Sequence, residues 1–148
     1  MKIKKIQRSD CEINLALETF GDMWSLLIVR DIVYYGKKTY GEFLESKEGI
    51  ATNILANRLA HLEQKGILVK NPCKEDKRKE IYTLTERGLG LIAVLLEIAR
   101  WSVQHDPACT ASHAWLDVLS GDKEEIDKKV RSLVQNGGSI FVGDGRLV

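Results

Sequence analysis

Uncharged polar side chains line one side of the segment GIATNILANRLAHLEQKG, residues 49–66. Leu55, Leu59 and Leu62 recur within it at helical spacing, which predicts an amphipathic helix with a buried leucine stripe. The opposite side carries amide and methyl groups instead of the lysines and glutamates that are usual on a solvated helix. An amide both donates and accepts hydrogen bonds, so it matches a partner that offers both groups together, as the edge of adenine does. The residues on this side are Asn53, Ala56, Asn57, Ala60 and Gln64.

A second group of side chains suited to binding is basic. The turn CKEDKRK, residues 73–79, lies between the β-prone runs ILVKNP and EIYTL, which predicts a hairpin with a charged tip. The formal net charge of the chain is only +1, yet its basic residues are concentrated at the N-terminus and in residues 50–80. A charge run by itself usually marks a solvated surface, so its meaning depends on the fold. The basic residues of the tip are Lys74, Lys77, Arg78 and Lys79.

Cys11 is the candidate for covalent chemistry, and two hypotheses stay open for it. A free cysteine is by default a small packing residue. A reactive thiolate is favoured at a helix N-terminus and near basic groups. Cys11 begins a predicted helix and follows Lys4, Lys5 and Arg8, although its two acidic neighbours oppose that effect. Cys73 and Cys109 are candidate disulfide partners.

Motifs typical of enzymes, metal sites and membrane proteins are missing from the sequence. It contains no Ser/His/Asp or Cys/His arrangement, no Gly-rich phosphate loop and no paired carboxylates, and His61 and His113 lack partners at metal-ligand spacing. We therefore expect no catalytic residues, no metal and no cofactor. No apolar run approaches the roughly 18 residues of a membrane helix, and the N-terminus lacks a secretory apolar region. The three cysteines form no CxxC motif, which favours a reducing cytoplasm.

The elements that must position these groups follow from the hydrophobic pattern. Apolar periodicity predicts helices over residues 11–20, 22–36, 39–46 and 51–65, then the hairpin, then a helix from Thr85 to about His105. Thr39 and Glu42 have capping-box spacing, and Gly49 is available for a positive φ in the turn before residue 51. In the second helix we expect Ile28 and its apolar neighbours to face the core, with Arg30 and Asp31 outside it. The chain is 44% hydrophobic, so a sizeable core is expected.

Helix-turn-helix followed by a β-ribbon is the winged-helix plan, and it gives the amide face a role. In a helix-turn-helix the second helix lies in the major groove. Asparagine can bond adenine N6 and N7, and small methyl groups can contact thymine. The first turn can bind a phosphate through a hydroxyl and backbone amides, and the basic tip would lie along the adjoining backbone or minor groove. For Arg58, beside the leucine stripe, an ion pair within the protein and a phosphate contact both remain open. The predicted DNA-binding residues of the helix are Thr52, Asn53, Ala56, Asn57 and Arg58.

The strings GDMWSLLIVRDI, YGEF, GIATNILANRLAHLEQKGIL and YTLTERG resemble, in this order, the HxlR family of bacterial winged-helix transcriptional regulators. The resemblance covers residues 10–104. It implies a dimeric DNA-binding regulator with Asn53, Asn57 and Arg58 on its recognition helix and with a basic wing. It also implies that a cysteine near the N-terminus, which Cys11 matches, senses electrophiles or oxidants. The sequence departs from the family where Ala51-Thr52 replaces a Ser-Pro pair, so the helix cap differs.

The closing helix contains LGLIAVLLEIARW, residues 89–101, which is apolar nearly all round. A surface helix on a small domain should have a polar side, so this helix needs a second covering surface. The simplest source is the same helix of another subunit in a two-fold dimer. The predicted interface residues, on this helix and on the first, are Ile13, Leu17, Ile92, Leu95, Leu96 and Ala99.

We divide the chain into a winged-helix DNA-binding and dimerisation domain, residues 1–104, and a C-terminal extension, residues 105–148, packed on the dimer. The extension should contain an amphipathic helix over 121–135 and a short hairpin over 137–148. The fold class is therefore mainly α with a small β-hairpin (α+β), a winged helix-turn-helix with a long dimerisation helix and an additional tail.

The function that fits these features is a homodimeric, sequence-specific transcriptional regulator. It would bind an inverted-repeat operator in double-stranded DNA, with a small-molecule or redox effector and no membrane partner. A winged helix that binds proteins instead of DNA is the main alternative, and it would carry an acidic or apolar recognition face. A thiol-dependent enzyme that uses Cys11 is a further alternative, which a turnover screen would distinguish.

Overall fold

The computed structural model describes residues 7–148, so the lysines at positions 4 and 5 lie outside the described residues. It contains eight helices and one two-stranded sheet within that range. No helix in residues 7–148 is long and apolar enough to span a membrane. The elements are α1 (Glu12–Phe20), α2 (Ser25–Tyr35), α3 (Tyr40–Leu44), α4 (Thr52–Gln64), β1 (Leu68–Pro72), β2 (Glu80–Leu84), α5 (Glu86–Leu89), α6 (Leu91–His105), α7 (His113–Leu119) and α8 (Lys123–Gln135).

Local hydrogen bonds define the helix-turn-helix formed by α2, α3 and α4. The Asp22 carboxylate accepts the backbone N–H of both Trp24 and Ser25, so α2 begins three residues later than predicted. The predicted capping box of α3 is confirmed, since Thr39 Oγ1 accepts the Glu42 N–H and the Glu42 carboxylate accepts the Thr39 N–H. Gly49 has the predicted positive φ, 71°, in the turn before α4.

The predicted wing is confirmed as an antiparallel hairpin of β1 and β2. Leu68 pairs with Leu84 and Pro72 with Glu80, so the turn at residues 73–79 forms the tip. The outer edge of β2 is tied to the helix-turn-helix, because the Tyr82 N–H donates to the Lys38 carbonyl at 2.8 Å. The chain is therefore a winged helix, mainly α with a small hairpin, as the sequence predicted.

One hydrophobic core joins the winged helix to the C-terminal extension. The leucine stripe of α4 packs in it as predicted, with Leu55, Leu59 and Leu62 almost completely buried. Side chains from every region of the chain after α1 share this core. They include Val29, Val33, Phe43, Ile67, Leu96, Trp115, Leu119, Val130 and Ile140.

Asp31 is a correction, because it is only 2% exposed where we expected it outside the core. Its carboxylate accepts hydrogen bonds from Ser46 and from the Arg30 guanidinium, at 2.7 Å for the latter, and Lys37 Nζ lies 3.6 Å away. These partners compensate the burial of a charge, which would otherwise be very unfavourable. Arg30 and Lys37 are themselves largely shielded, so the group forms a polar cluster beneath the turn between α3 and α4.

The predicted closing helix is divided at Gly90 into α5 and α6. Thr85 caps the short first part, accepting the Gly88 N–H with its hydroxyl. A Cβ on Gly88 would lie 2.2 Å from the Ile67 carbonyl oxygen, so only glycine permits this approach of α5 to the wing. The helix thus starts against the hairpin before it turns into the long α6.

The C-terminal extension departs from prediction in two places. The predicted helix over 121–135 is present as α8, but α7 was not predicted. Residues 137–148 do not form the predicted hairpin of strands. Instead Ile140 and Phe141 donate their N–H groups to the Val33 and Tyr34 carbonyls at the end of α2, and Leu147 returns to bond Ile140. The free carbonyls of a helix C-terminus therefore recruit this segment.

Candidate nucleic-acid interface

The predicted recognition face of α4 is exposed along its length. Asn53, Ala56, Asn57, Ala60 and Gln64 all face solvent, while the leucine stripe faces the core. No acidic residue belongs to this face, and Glu63, the one carboxylate of α4, is half-buried beside Lys70. The structure therefore presents a row of amides and methyl groups that another molecule could approach closely.

The N-terminus of α4 is open to an anion. Its N-cap residue is Ala51, whose methyl group cannot accept a hydrogen bond from the first-turn amides. Thr52 is the first helical residue and is exposed, so it does not occupy the cap position. Uncapped first-turn N–H groups and the helix dipole favour a phosphate at this position.

Arg58 is engaged within the chain, as one of its two hypotheses required. Its Nη1 lies 3.3 Å from Asp22 Oδ1, and its Nη2 donates to Asn57 Oδ1 at 2.6 Å. Burial works to raise the pKa of Asp22, but hydrogen bonds from Ser25 and Trp24 together with the Arg58 charge leave it lowered. In the free chain Arg58 thus links the α1–α2 loop to the recognition face and orients the Asn57 amide.

Two residues that position α4 were missed by the sequence analysis. Tyr40 Oη donates to the Thr52 carbonyl at 2.9 Å, which ties the start of α3 to the start of α4. Asp22 both accepts N–H groups at the start of α2 and holds Arg58. The capping spacing Asp22-x-x-Ser25 was a usable signal for Asp22. No local pattern marks the hydroxyl of Tyr40, because its partner lies twelve residues away.

The turn before α4 is held by a bidentate ion pair. Arg30 Nη1 and Nη2 donate to the two carboxylate oxygens of Glu48 at 2.8 and 2.7 Å. These hydrogen bonds lower the pKa of Glu48 from 4.5 to about 2. Because Arg30 also bonds the buried Asp31, the turn is anchored to α2 by one guanidinium group. The anchor fixes where the recognition helix begins.

The wing tip is basic and solvent-exposed, as predicted. Lys74, Lys77, Arg78 and Lys79 all face solvent. Arg78 Nε donates to Asp76 at 3.1 Å, and this hydrogen bond lowers the pKa of the Asp76 carboxyl. At the base of the wing Lys70 lies between Glu63 and Glu80, whose charges raise its pKa. The lysines of the tip are thus available to phosphates, while Lys70 links the wing to α4.

The predicted dimer residues fall into two groups. Ile13 and Leu17 of α1 are 63% and 52% exposed, and Ala99 is half-exposed. In contrast, Ile92, Leu95 and Leu96 are at most 7% exposed because they pack into the core of their own chain. In the single chain those three side chains are therefore not at the surface. The large apolar residues that α6 leaves at the surface are Ile98 and Trp101, which the sequence analysis did not select.

Cys11 is exposed and forms the N-cap of α1, so within the single chain it is not a buried packing residue. Its backbone N–H is 3.4 Å from the Ser9 hydroxyl. His61 Nε2 bonds the Thr19 carbonyl at 2.9 Å and joins α4 to α1. Residues 7–148 contain no group of three or more His, Cys, Asp or Glu side chains arranged to hold a metal ion.

Comparison with known proteins places this geometry among DNA-binding regulators. Residues 19–109 match the family model described as HxlR-like helix-turn-helix. The HTH-type transcriptional regulator YodB of Bacillus subtilis is 37% identical over 89 residues, which cover 60% of this chain and 79% of YodB. Its crystal structure in the reduced form superposes with a TM-score of 0.55 at 30% identity, covering 69% of this chain and 100% of the YodB chain.

Two further proteins extend the comparison. The HTH-type transcriptional regulator Mb3122 of Mycobacterium bovis, which is uncharacterised, is 32% identical over 95 residues, or 64% of this chain. The match spans 59% of the length of Mb3122, less than two thirds of that relative. The crystal structure of PA1607, a candidate transcription factor, has a TM-score of 0.65 at 36% identity and covers 72% of this chain and 73% of its own.

Proposed function

The chain belongs to the HxlR-like helix-turn-helix family, and from this premise we propose that it acts in the cytoplasm as a homodimer that binds an inverted-repeat operator. Its family is one of DNA-binding transcriptional regulators, a class without enzymatic activity. The family assignment argues against the hypothesis of a thiol-dependent enzyme, and it makes a winged helix that binds only proteins the less favoured alternative. What we propose concerns the operator, the dimer and the residues that contact DNA.

The exposed amide face of α4 is the observation that carries the proposal. Asn53 and Asn57 project from the solvent side of a helix whose other side is fixed in the core. In the major groove each can donate to N7 and accept from N6 of one adenine. Ala56 and Ala60 allow close approach and can contact thymine methyl groups. For Asn57 the acceptor oxygen is already oriented by Arg58, so adenine would share or replace that hydrogen bond.

Phosphate contacts supply the remaining affinity in this proposal. The open N-terminus of α4 faces one phosphate with its amides and the Thr52 hydroxyl. The four basic residues of the wing tip lie along the adjoining backbone or minor groove. Such contacts position a protein on the duplex but carry no sequence information directly. Selectivity would therefore come from the amide face and general affinity from the wing.

The dimer would bury apolar side chains that the single chain leaves exposed on two helices, Ile13 and Leu17 on α1 and Ile98 and Trp101 on α6. All four side chains are more than two-fifths exposed in the single chain. Ala99, which is half-exposed on α6, would belong to the same dimer surface. A two-fold axis through this surface presents two copies of α4, which suits successive major grooves about one helical turn apart. The interface thus replaces the buried residues of α6 that the sequence analysis selected.

Selection of an operator from a random duplex pool, followed by titration of variants, tests this function. Asn57→Ala should cost on the order of 1–3 kcal/mol on the selected operator and much less on random DNA. Asn136→Ala is the matched control, because Asn136 is an exposed asparagine at the end of α8. The proposal is wrong if Asn53→Ala and Asn57→Ala both leave the ratio of operator to random affinity unchanged, or if no operator emerges.

A redox response through Cys11 is a second proposal, supported by the exposure of its thiol. Cys11 lies two residues before Ile13, so oxidation there would act next to the proposed dimer surface. Diamide, an oxidant that takes two electrons and two protons from a pair of thiols, should then change operator affinity in the native chain. Cys11→Ser should abolish the response. Cys109 is also an exposed cysteine, and loss of the response in Cys109→Ser would identify it as the second thiol. An unchanged response in Cys11→Ser would contradict a sensing role.

A further inference from the structure

A groove at the base of the wing is bounded by the C-terminal extension, outside the part of the chain that matches the family. We call it the wing-base groove. Its volume is about 510 Å³, within the range of roughly 300–1,000 Å³ that small-molecule sites occupy. One wall is the outer edge of β2, the second is the end of α2 with Lys38, and the third is the end of α8 with Val134, Gln135 and Gly138.

Apolar side chains supply part of the lining of this groove. Ile32, Leu84, Leu89 and Val134 line it, all of them buried or half-buried. A ligand that fits must therefore have an apolar body. A planar or alicyclic ring system would bury the most surface in a groove between a strand and a helix.

The charged side chains at the rim of the groove determine which sign of ligand charge is favoured. Lys37 is paired with the buried Asp31, and Glu86 on the opposite rim is paired with Arg131. Lys38 is exposed and forms no ion pair within residues 7–148. The rim therefore presents one uncompensated positive charge, which favours a ligand with a single anionic group.

The strand edge adds a backbone donor. Two backbone hydrogen bonds cross the hairpin, from the Cys73 N–H to the Lys79 carbonyl and from the Thr85 N–H to the Ile67 carbonyl. The Tyr82 N–H instead points outward to the Lys38 carbonyl. Bonding in an antiparallel ladder alternates from residue to residue, so Leu84 directs its N–H to the same outer edge as Tyr82. That edge is a wall of the groove, and its N–H can donate to a carboxylate oxygen.

From these features we propose that the wing-base groove binds a small organic monoanion, a carboxylate on a ring-shaped apolar body. The carboxylate pairs with the Lys38 ammonium and the ring packs among Leu84, Leu89 and Val134. Because the groove joins α2, the wing and α8, its occupant contacts the elements that position the wing. Its effect on DNA binding rests on the function proposed above, whereas binding to the groove does not.

Backbone amide spectra of the native chain, titrated with 2-naphthoate in the absence of DNA, test the site. We expect saturable shifts at Leu84 and Gly138, and much weaker binding of the neutral 2-naphthamide and the cationic 2-naphthylmethylamine. Lys38→Gln should weaken 2-naphthoate binding about fivefold, the effect of one partly exposed ion pair, and leave 2-naphthamide unchanged. Lys129→Gln removes an exposed lysine of α8 that does not line the groove and should change neither.

Occlusion provides a second test. Thr83 is exposed and lines the groove, so Thr83→Trp should fill it and abolish binding of 2-naphthoate, and Gln135→Trp should do the same if the first variant does not fold. Unsaturable shifts would overturn the site. So would saturable shifts confined to residues outside the wing-base groove, or equal weakening by Lys129→Gln. A change in operator affinity caused by 2-naphthoate, absent in Thr83→Trp, would support the effect on DNA, and no change in the native chain would overturn that effect alone.

Discussion

Individual side chains in this protein have roles that depend on their neighbours more than on their type. Arg58 and Arg30 are both arginines of the helix-turn-helix, yet each is engaged by carboxylates of the same chain. The exposed basic groups of the wing tip have fewer such partners, since within residues 7–148 only Arg78 is paired, to Asp76. An unpaired lysine breaks no ion pair when it binds a phosphate, whereas an engaged arginine must give up its present partners. The wing lysines are therefore better candidates for general DNA affinity than Arg58.

Lys77→Ala should weaken binding to every duplex, because a lysine that neutralises a phosphate releases counterions. The plot of log affinity against log salt should become shallower by about 0.9 for that one lost contact. Titration of operator and random duplexes at several salt concentrations measures both effects. Lys129→Ala, at an exposed site on α8, should leave the slope unchanged. A selective loss on the operator alone would place Lys77 at a base edge and contradict this role.

Because of Glu48, the free energy of unfolding should depend on pH below the ordinary pKa of a glutamate, 4.5. Arg30 lowers the pKa of Glu48 in the folded chain to about 2 from 4.5, so the folded state holds its proton less tightly than the unfolded state. The stabilisation is present above pH 4.5 and is lost as the pH falls towards 2. Urea unfolding between pH 5 and pH 2 measures it.

Glu48→Gln should remove part of that pH dependence. Glu45→Gln is the matched control, because Glu45 is exposed on the neighbouring turn and makes no ion pair within residues 7–148. Identical pH profiles for the native chain and Glu48→Gln would show that the ion pair does not stabilise the turn.

At the scale of elements, the wing is positioned by close backbone approach as well as by pairing. The outer edge of β2 bonds Lys38, and α5 begins so near the hairpin that Gly88 contacts the Ile67 carbonyl. The recognition helix is held in a similar way from several sides, through Tyr40, Arg30 and His61. The elements proposed to contact DNA are thus fixed to the core by contacts at their ends, which leaves their outer faces free.

Gly88→Ala should destabilise the fold by about 1–3 kcal/mol, since the added methyl overpacks a site where backbone must move. Gly41→Ala is the matched control, because a Cβ there meets nothing within 4 Å. Alanine is a better helix former than glycine, so the control should gain about 0.5–1 kcal/mol. Urea unfolding of both variants measures the difference, and equal stability for the two would contradict the close approach.

At the scale of the whole molecule, α6 is covered from two sides by its own chain. The core takes Ile92, Leu95 and Leu96, while α7 and α8 pack along another side, where Arg100 Nε donates to the Leu119 carbonyl. Among residues 7–148, the large apolar side chains of α6 that stay exposed are Ile98 and Trp101. The C-terminal extension therefore covers part of the apolar surface of α6, which the sequence analysis expected a second subunit to cover.

Light scattering should give twice 16.7 kDa for the native chain at micromolar concentration, the chain mass being 16.7 kDa. Trp101→Glu should give 16.7 kDa, because a charge would be buried in the interface without a partner. Val142→Glu makes a comparable apolar-to-acidic change at an exposed residue of the tail and should leave the dimer intact. A native mass of 16.7 kDa, or dissociation by both variants, would rule out this interface.

The amino-acid sequence by itself determined the features that depend on residues close together in the chain. The capping box of Thr39, the positive φ of Gly49, the leucine stripe of α4 and the hairpin follow from spacings of a few residues, and all are present. The amide face is exposed for the same reason, because a helix with one buried stripe must turn its other side outward. The order of the sequence motifs was also sufficient to identify the family.

Only the tertiary structure decided what depends on distant partners. Asp31 is buried because Ser46, fifteen residues away, and Lys37 satisfy its carboxylate. The covered side of α6 and the course of residues 137–148 depend on contacts between α2, α6 and the extension. The hydrophobic pattern of a helix indicates that its apolar faces must be buried. It does not indicate whether residues of the same chain or of a second copy bury them. That choice lies in the packing, which no local spacing encodes.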